Sequence, residues 1–477
     1  MAESAVRVVV IGGGPGGYVA AIHAAHRGAA VTVVERDLLG GTCLNRGCIP
    51  TKTLLAGASA FGTAARGGAE FGFAVHGEVV PDWPAMQERK ARVVTRLREG
   101  VHTLLKKAGV TLVPGTALVT GPGHVQVRPA ESAAGPPAAP PEPPLELDAD
   151  RIIIATGSEP MRPPFFDFSR SSILDSTSAL EIGSIPRSIL ILGGGAIGCE
   201  FAGLFGELGC RVTLIELMPQ LLPTEDVRVA RQLQGVMRKT GVEVLTKTRL
   251  EAVVEAEAER VVVTLEGGRR LEAEKMLVAV GRRPCTEGLG LQATGISMDE
   301  RGYVMVNERL ETSVPGIYAV GDVNGGLMQA HVASHEGMVA AENCTGAVRE
   351  RTTWAIPRCV YGVPEVAAVG LSEEEAREEG YRPVTGTFRH GALGKALALG
   401  EEQGYAQIIA DHDSGRLLGA VVMGHNATDV IHEVAVAMQL GATARQLGEV
   451  VHGHPSMAEA VMEAARDVHG ESVHVAG

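Results

Sequence analysis

VRVVVIGGGPGGYVAAIHAAHRGAAVTVVE, residues 6–35, is the stretch whose reading decides the fold. Val6 to Ile11 is an apolar run of strand length, the pattern of a parallel strand buried on both faces. Gly12 to Gly17, GGGPGG, interrupts it; Tyr18 to Arg27 reads as a helix, and Ala30 to Val34 as a second strand that ends at Glu35. Strand, glycine turn, helix, strand and acidic residue in that order form the βαβ fingerprint of a dinucleotide site. Gly12 allows the tight turn, and Gly14 lets backbone approach a pyrophosphate at the helix N-terminus. Gly17 permits close packing of helix on strand, and Glu35 can accept hydrogen bonds from ribose hydroxyls.

The pattern recurs. Ser188 to Leu192 leads into GGGAIG (193–198), a helix through Leu208 and a strand Arg211 to Ile215 ending at Glu216. In both copies the acidic residue follows the first glycine by 23 positions, and each copy has a later strand closing in a glycine turn, RIIIATGS (151–158) and KMLVAVGR (275–282). Chance would have to reproduce two strands, a helix and an acid at matched offsets, so two nucleotide domains are expected. Glu216 would accept bonds from an unmodified ribose and repel a 2′-phosphate, so the second site should prefer NAD over NADP.

Around these copies, Trp83 to Lys107 has the apolar spacing of a helix with one buried face. AESAAGPPAAPPEPPLELDAD (130–150), rich in Pro and Ala, is expected as an exposed excursion inside a hairpin. GIYAVGD (316–322) reads as a short strand ending at an acid that could bond a polyol. From about Thr353 the character changes: GYAQIIAD (404–411) and GRLLGAVVMG (415–424) alternate like antiparallel strands, followed by helical Asp429 to Gln439 and HGHPSMAEAVMEAA (452–465). This is a third, α+β unit.

A chain of 477 residues has room for about three domains. Its 43 basic and 56 acidic residues leave a net charge of −13, which argues against a generic nucleic-acid or anionic-membrane binder. MAESAVRVVVIGGGPGG does not read as a signal peptide, seven cysteines form an odd count, and no apolar run reaches the roughly 20 residues of a membrane span. A soluble, cytoplasmic protein with small molecules or proteins as partners is expected.

GGTCLNRGCIPTK (40–52) carries the chemistry: Cys43 and Cys48 enclose four residues just after the first nucleotide turn. A ring so small removes little loop entropy, and a chain this long does not need a staple, so a redox pair is the better reading. Structural zinc usually needs a second Cys or His pair, and the other cysteines are scattered, so no metal site is expected. Cys48 precedes Pro50 near a helix start with Lys52 one turn on; dipole and cation both favour a thiolate, although a solvated helix charge is the plain reading of Lys52. Near the C-terminus, a helix turning in at Pro455 would let Glu459 reach back to His454 and raise its basicity as a thiol base. A single histidine there is ordinarily a surface residue; His452 reads that way, and choosing His454 within HGHP takes more than spacing.

Together GGGPGG, GGTCLNRGCIPTK, GGGAIGCE, VGRRP, GIYAVGD and HGHPSMAEA resemble the pyridine nucleotide disulfide oxidoreductases, in particular the members that oxidise dihydrolipoamide. The resemblance implies an α/β chain with two Rossmann-like dinucleotide-binding domains, for FAD and NAD, plus a C-terminal α+β dimerisation domain. The boundaries would be 1–158 with 284–352 for FAD, 159–283 for NAD and 353–477 for dimerisation. Cys43 would be the interchange thiol, Cys48 the charge-transfer thiol against the flavin, and Lys52 would sit by the flavin and pair with Glu200. His454, held by Glu459, would serve the other subunit of a homodimer. Gly12, Gly14, Gly17, Glu35, Gly41, Thr42, Lys52, Ala117, Thr156, Gly157, Ser158, Asp322, Met328, Gln329, Ala330 and His331 would line FAD. Gly193, Gly195, Gly198, Glu216, Gly281 and Arg282 would line NAD.

Electrons would pass from dihydrolipoamide to the Cys43–Cys48 disulfide, then to FAD and to NAD, the lipoyl group being carried by proteins of 2-oxo-acid dehydrogenase or glycine cleavage complexes. Arg46 stands where the family commonly has a small apolar residue, Gln329 where it often has Leu, and the Pro/Ala-rich insert is longer than usual. Mercuric reductase would want a C-terminal cysteine pair, absent from ESVHVAG, and glutathione reductase would want NADP. A flavoprotein kept as a structural subunit of a larger assembly would not require Cys43, Cys48, His454 and Glu459 together.

Overall fold

The computed structural model describes residues 5–65, 68, 71–129 and 143–474. They form two compact units, the first built from 1–53, 88–161 and 282–351 and the second from 54–87, 162–281 and 352–477.

In the first unit a five-stranded parallel sheet has the order Ile317–Ala319, Arg151–Ile154, Arg7–Ile11, Ala30–Glu35, Thr111–Pro114. Alternate residues of the continuous apolar strands feed two cores, the physical reason such strands do not alternate with polar residues. Val8, Val10, Val31, Val33 and Ile153 pack with Ala20, Ala21 and Ala24 of the helix Pro15–His26 and with Val339 and Ala340 of the helix Ala330–Cys344. Val9, Ile11, Val34, Ile152 and Ile154 face the other way, onto Ala117, Val119, Val125 and Val127 of the antiparallel sheet Thr116–Gly121, His124–Arg128, Leu145–Asp148. The first helix begins at Pro15, three residues before the expected Tyr18, because Pro suits the first helical turn, where its missing N–H costs nothing. The strands around the Pro/Ala-rich insert pair as a hairpin; residues 130–142 of that insert lie outside the described residues.

The second unit repeats the arrangement: Glu243–Leu245, Arg211–Ile215, Ser188–Leu192, Lys275–Val278 and Ile173–Leu174 form a parallel sheet, with the helix Ala196–Glu207 after its first glycine turn. An antiparallel five-stranded sheet follows, in the order Pro357–Val360, Val366–Gly370, Leu417–Met423, Tyr405–Asp411, Pro383–Arg389. Tyr405–Asp411 and Leu417–Met423 are antiparallel partners, but every residue of both is buried, not alternate ones only. Val421 and Met423 join the core around Phe201 and Phe205 on one face, while Ala420 and Val422 pack with Ile431, Val434, Val461 and Ala464 of the C-terminal helices on the other. Among the described residues no helix is long and apolar enough to cross a membrane.

Candidate active site

Both glycine turns are built as steric necessity requires. Gly12 has φ +104°, and a Cβ on it would lie 2.4 Å from the Ala155 carbonyl oxygen; a Cβ on Gly17 would lie 1.8 Å from the Gly12 oxygen. Only glycine fits either place, whereas a Cβ on Gly14 would meet nothing closer than the Gly41 Cα at 3.7 Å, which leaves room for a ligand. Glu35, at the end of its strand, accepts the Gly13 N–H on Oε2 at 2.6 Å and the Asp37 N–H on Oε1 at 2.8 Å. The second unit copies each detail: Gly193 has φ +108°, a Cβ on Gly198 would lie 1.8 Å from the Gly193 oxygen, and Gly195 faces open space. Glu216 accepts the Gly194 and Met218 N–H groups, each at 2.6 Å. Both helices start behind a glycine N-cap with no side-chain cap, so first-turn N–H groups and the dipole are presented to an anion.

The two cysteines sit on different helices. Cys43 lies in a short helix, Gly41–Arg46, that local composition did not reveal; Gly47 ends it, and Cys48 opens the helix Cys48–Ala65 with Lys52 in its next turn. Asn45 Nδ2 holds the bend by donating to the Leu39 and Gly41 carbonyls, each at 2.9 Å, and Arg46 is tied to Asp37 by an ion pair. Both cysteines are free thiols, half-buried, with their side chains hydrogen-bonded to each other. That bond, then burial and the charge on Cys48, pushes the Cys43 thiol far above its ordinary value, and the Lys52 ammonium only partly opposes it. In the reduced pair Cys43 is thus the thiol that holds its proton more tightly than an ordinary cysteine. Tyr18, which no motif singled out, stands near Cys43, and burial pushes its phenol up.

In the second unit His454 Nδ1 is 2.9 Å from Glu459 Oε1, while Glu459 Oε2 accepts the Ser456 N–H at 2.7 Å. The helix starts at Glu459 and not at Pro455, so the carboxylate reaches back across an irregular loop. Burial raises the Glu459 carboxyl, but the bonds from His454 and Ser456 and the charges of His454 and His452 outweigh it and hold the group below its usual value. The His454 side chain is 78% exposed. His452 is not the surface residue expected: its side chain is 6% exposed and paired with Glu433. Glu200 is buried in the helix Ala196–Glu207 and accepts the Tyr361 N–H at 3.0 Å. Lys52 belongs to the first unit and Glu200 to the second.

Residues 6–337 match the pyridine nucleotide-disulphide oxidoreductase family, and residues 356–465 match its dimerisation domain. The chain belongs to the pyridine nucleotide-disulphide oxidoreductases. Dihydrolipoyl dehydrogenases of Bacillus subtilis and Thermus scotoductus are 39% and 42% identical to it, each comparison covering 98% of both chains. LpdA of Mycobacterium tuberculosis superposes with a TM-score of 0.87 at 28% identity, covering 97% of this chain and 99% of that one. RclA of Escherichia coli, an HOCl-induced flavoprotein disulfide reductase, does so with a TM-score of 0.84 at 29% identity, covering 96% and 99%.

As a member of this family the chain is an oxidoreductase that works with FAD and NAD, and its C-terminal part is the family's dimerisation domain. The residues of the first unit fit a flavin dinucleotide. Beyond the open cradle at Gly14, Thr156 Oγ1 and Gln329 Oε1 are buried polar atoms without a protein partner. Gly157 turns with φ +69°, Ala117 is buried on its strand, and Met328 and His331 are exposed at the start of the helix opened by Ala330. Asp322 accepts the Ser158 hydroxyl at 2.5 Å, and Thr42 Oγ1 donates to the Ser158 carbonyl at 3.4 Å. Arg282, expected from the resemblance to line NAD, donates to Ser158 Oγ and to the Ser158 carbonyl, each at 2.7 Å. It thus stands among residues grouped with FAD, while Gly281, φ +133°, belongs to the second unit with Gly193, Gly195, Gly198 and Glu216.

Proposed function

We propose that this oxidoreductase oxidises protein-bound dihydrolipoamide to lipoamide and reduces NAD, with Cys43 and Cys48 as its redox pair. The observation that carries the reading is the paired dithiol: Cys43 and Cys48, on successive helices, have hydrogen-bonded side chains, with Lys52 one turn into the helix that Cys48 opens. Relatives about 40% identical over nearly their whole length and named dihydrolipoyl dehydrogenase support the substrate.

With the pair oxidised, His454 takes the proton of one substrate thiol, and the resulting thiolate attacks Cys43. A substrate–Cys43 bond forms, the Cys43–Cys48 bond breaks, and Cys48 leaves as a thiolate beside Lys52, whose charge favours that departure. The second substrate thiol then attacks the first substrate sulfur; lipoamide closes its disulfide and leaves, Cys43 departs as a thiolate and takes up the second thiol's proton, and His454 passes the first proton to solvent. Glu459 holds the imidazole in one orientation throughout. FAD, when bound by Gly12, Gly14, Gly17, Glu35, Ser158 and Asp322, supplies the two-electron acceptor that links this dithiol to NAD at Gly193, Gly195, Gly198 and Glu216.

The active assembly is proposed as a homodimer in which His454 works on the partner's dithiol. The exposed ring beside Val450 and Val451, which are 50% and 95% exposed, supports that. The FAD domain, the NAD domain and the dimerisation domain are taken as 1–158 with 284–352, 159–283 and 353–477. Lipoyl domains of 2-oxo-acid dehydrogenase or glycine cleavage complexes would be the protein partners, in the cytoplasm. Purified protein should be yellow and should reduce NAD with dihydrolipoamide. Full flavin loading without that turnover, alongside turnover of another disulfide or a metal ion, would sink the assignment.

A further inference from the structure

We infer that His452 is a positioning residue for His454, acting through the loop that carries both and through Glu459; this rests on the functional reading above. The loop 450–458 joins the helices Ala444–Glu449 and Glu459–Asp467. Within it His452 Nδ1 lies 2.8 Å from the Val450 carbonyl oxygen and Nε2 lies 2.5 Å from Glu433 Oε1, on the helix Ala427–Gln439. A carbonyl only accepts, so Nδ1 carries a hydrogen; a carboxylate facing Nε2 then makes both nitrogens donors, the bonding pattern of an imidazolium. At 6% exposure this ring is neither a solvated surface group nor within reach of a bulky substrate.

Two consequences meet at His454. The first is geometric: the segment is pinned through His452 to one helix and through His454 and Ser456 to Glu459 at the head of another. An exposed catalytic ring on an otherwise irregular loop needs such anchoring, since a misplacement of about 1 Å can cost on the order of 10²-fold in rate. The second is electrostatic. The positive charge of His452 helps keep Glu459 ionised against its burial, alongside the hydrogen bonds it accepts from His454 and Ser456. An ionised Glu459 can only accept, so it fixes the hydrogen of His454 on Nδ1 and leaves Nε2 with the lone pair a base requires. Glu433, His454 and Glu459 are the charged groups around His452 that this coupling involves.

The test uses the FAD-loaded full-length protein and reads its two half-reactions separately by rapid mixing. Flavin bleaching by dihydrolipoamide needs His454; bleaching by NADH does not. In His452→Leu the first should slow about 10²-fold while the second stays within about twofold. His452→Gln, which can still donate to Glu433, should recover part of the loss. Glu433→Gln is a second variant that keeps the side-chain shape and should slow the dihydrolipoamide step alone. In ¹⁵N-histidine spectra, His454 should be the Nδ1–H tautomer in the unaltered protein and a mixture in the variants. Unchanged dihydrolipoamide bleaching in both His452→Leu and Glu433→Gln, or equal slowing of both half-reactions, would overturn the inference. Unaltered protein that NADH bleaches and dihydrolipoamide does not would instead remove the functional reading beneath it.

Discussion

Cys43 and Cys48 differ because their surroundings differ, not their chemistry. Hydrogen bonding to Cys48 and burial keep the proton on Cys43, while Cys48 opens a helix with Lys52 one turn further on. Replacing Cys43 by Ser should lower dihydrolipoamide turnover by on the order of 10⁴-fold or more, because the sulfur that would be attacked is gone. His454→Gln should cost about 10²–10⁴-fold, the usual share of a positioned acid/base group. Steady-state rates for both variants, set beside an undiminished reduction of the flavin by NADH in His454→Gln, check these roles; comparable losses in both assays would contradict the base assigned to His454. The two cysteines were legible in the chain because motif spacing places them, whereas choosing His454 within HGHP took the family resemblance as well. His452 and Tyr18 were not, since the partners that define them, Glu433 and Cys43, are distant in sequence.

At the level of elements, each glycine turn works by close approach. Gly17 and Gly198 are where helix meets strand, and a methyl at either would sit 1.8 Å from a carbonyl oxygen. Such overpacking costs about 1–3 kcal/mol, so Gly198→Ala should raise the KM for NAD roughly 5- to 150-fold with flavin content unchanged. Gly17→Ala should instead yield protein deficient in flavin, read from the absorbance of the purified sample. These turns were legible because a tight strand-to-helix turn constrains a handful of adjacent residues. The helix Gly41–Arg46 was not: six residues are too few for a periodic signal, and Asn45 holding Leu39 and Gly41 supplies the stability that propensity does not. The helix start at Glu459 was missed for a related reason, since the Pro at 455 signals a helix opening that the bonds to Glu459 delay by four residues.

Across the whole molecule, pH sensitivity should be set in part by His390. Its ring is 1% exposed, packed against Gly404 and Gly424, and burial, then the charge of His425, pushes it down to about 4. An unfolded chain takes up the proton as pH falls through about 6.5, the folded one only near 4. Stability from this group is thus full above the upper value and declines between the two, by up to about 3 kcal/mol. Denaturation midpoints of the native protein should fall over that window, and His390→Phe should flatten the slope; an equal slope in the variant would assign it elsewhere. The carboxylates Glu459 and Glu463, both held low, lose their contribution only further down, as pH falls below about 4.5.

By itself the sequence determined the two nucleotide turns, the acid at the end of each following strand and the dithiol, each marked by the spacing of residues along one stretch of chain. Only the tertiary structure decided which histidine is buried and that Arg282 joins Ser158 and Asp322. Those outcomes depend on burial and on partners brought together from distant segments, and neither is written in local spacing.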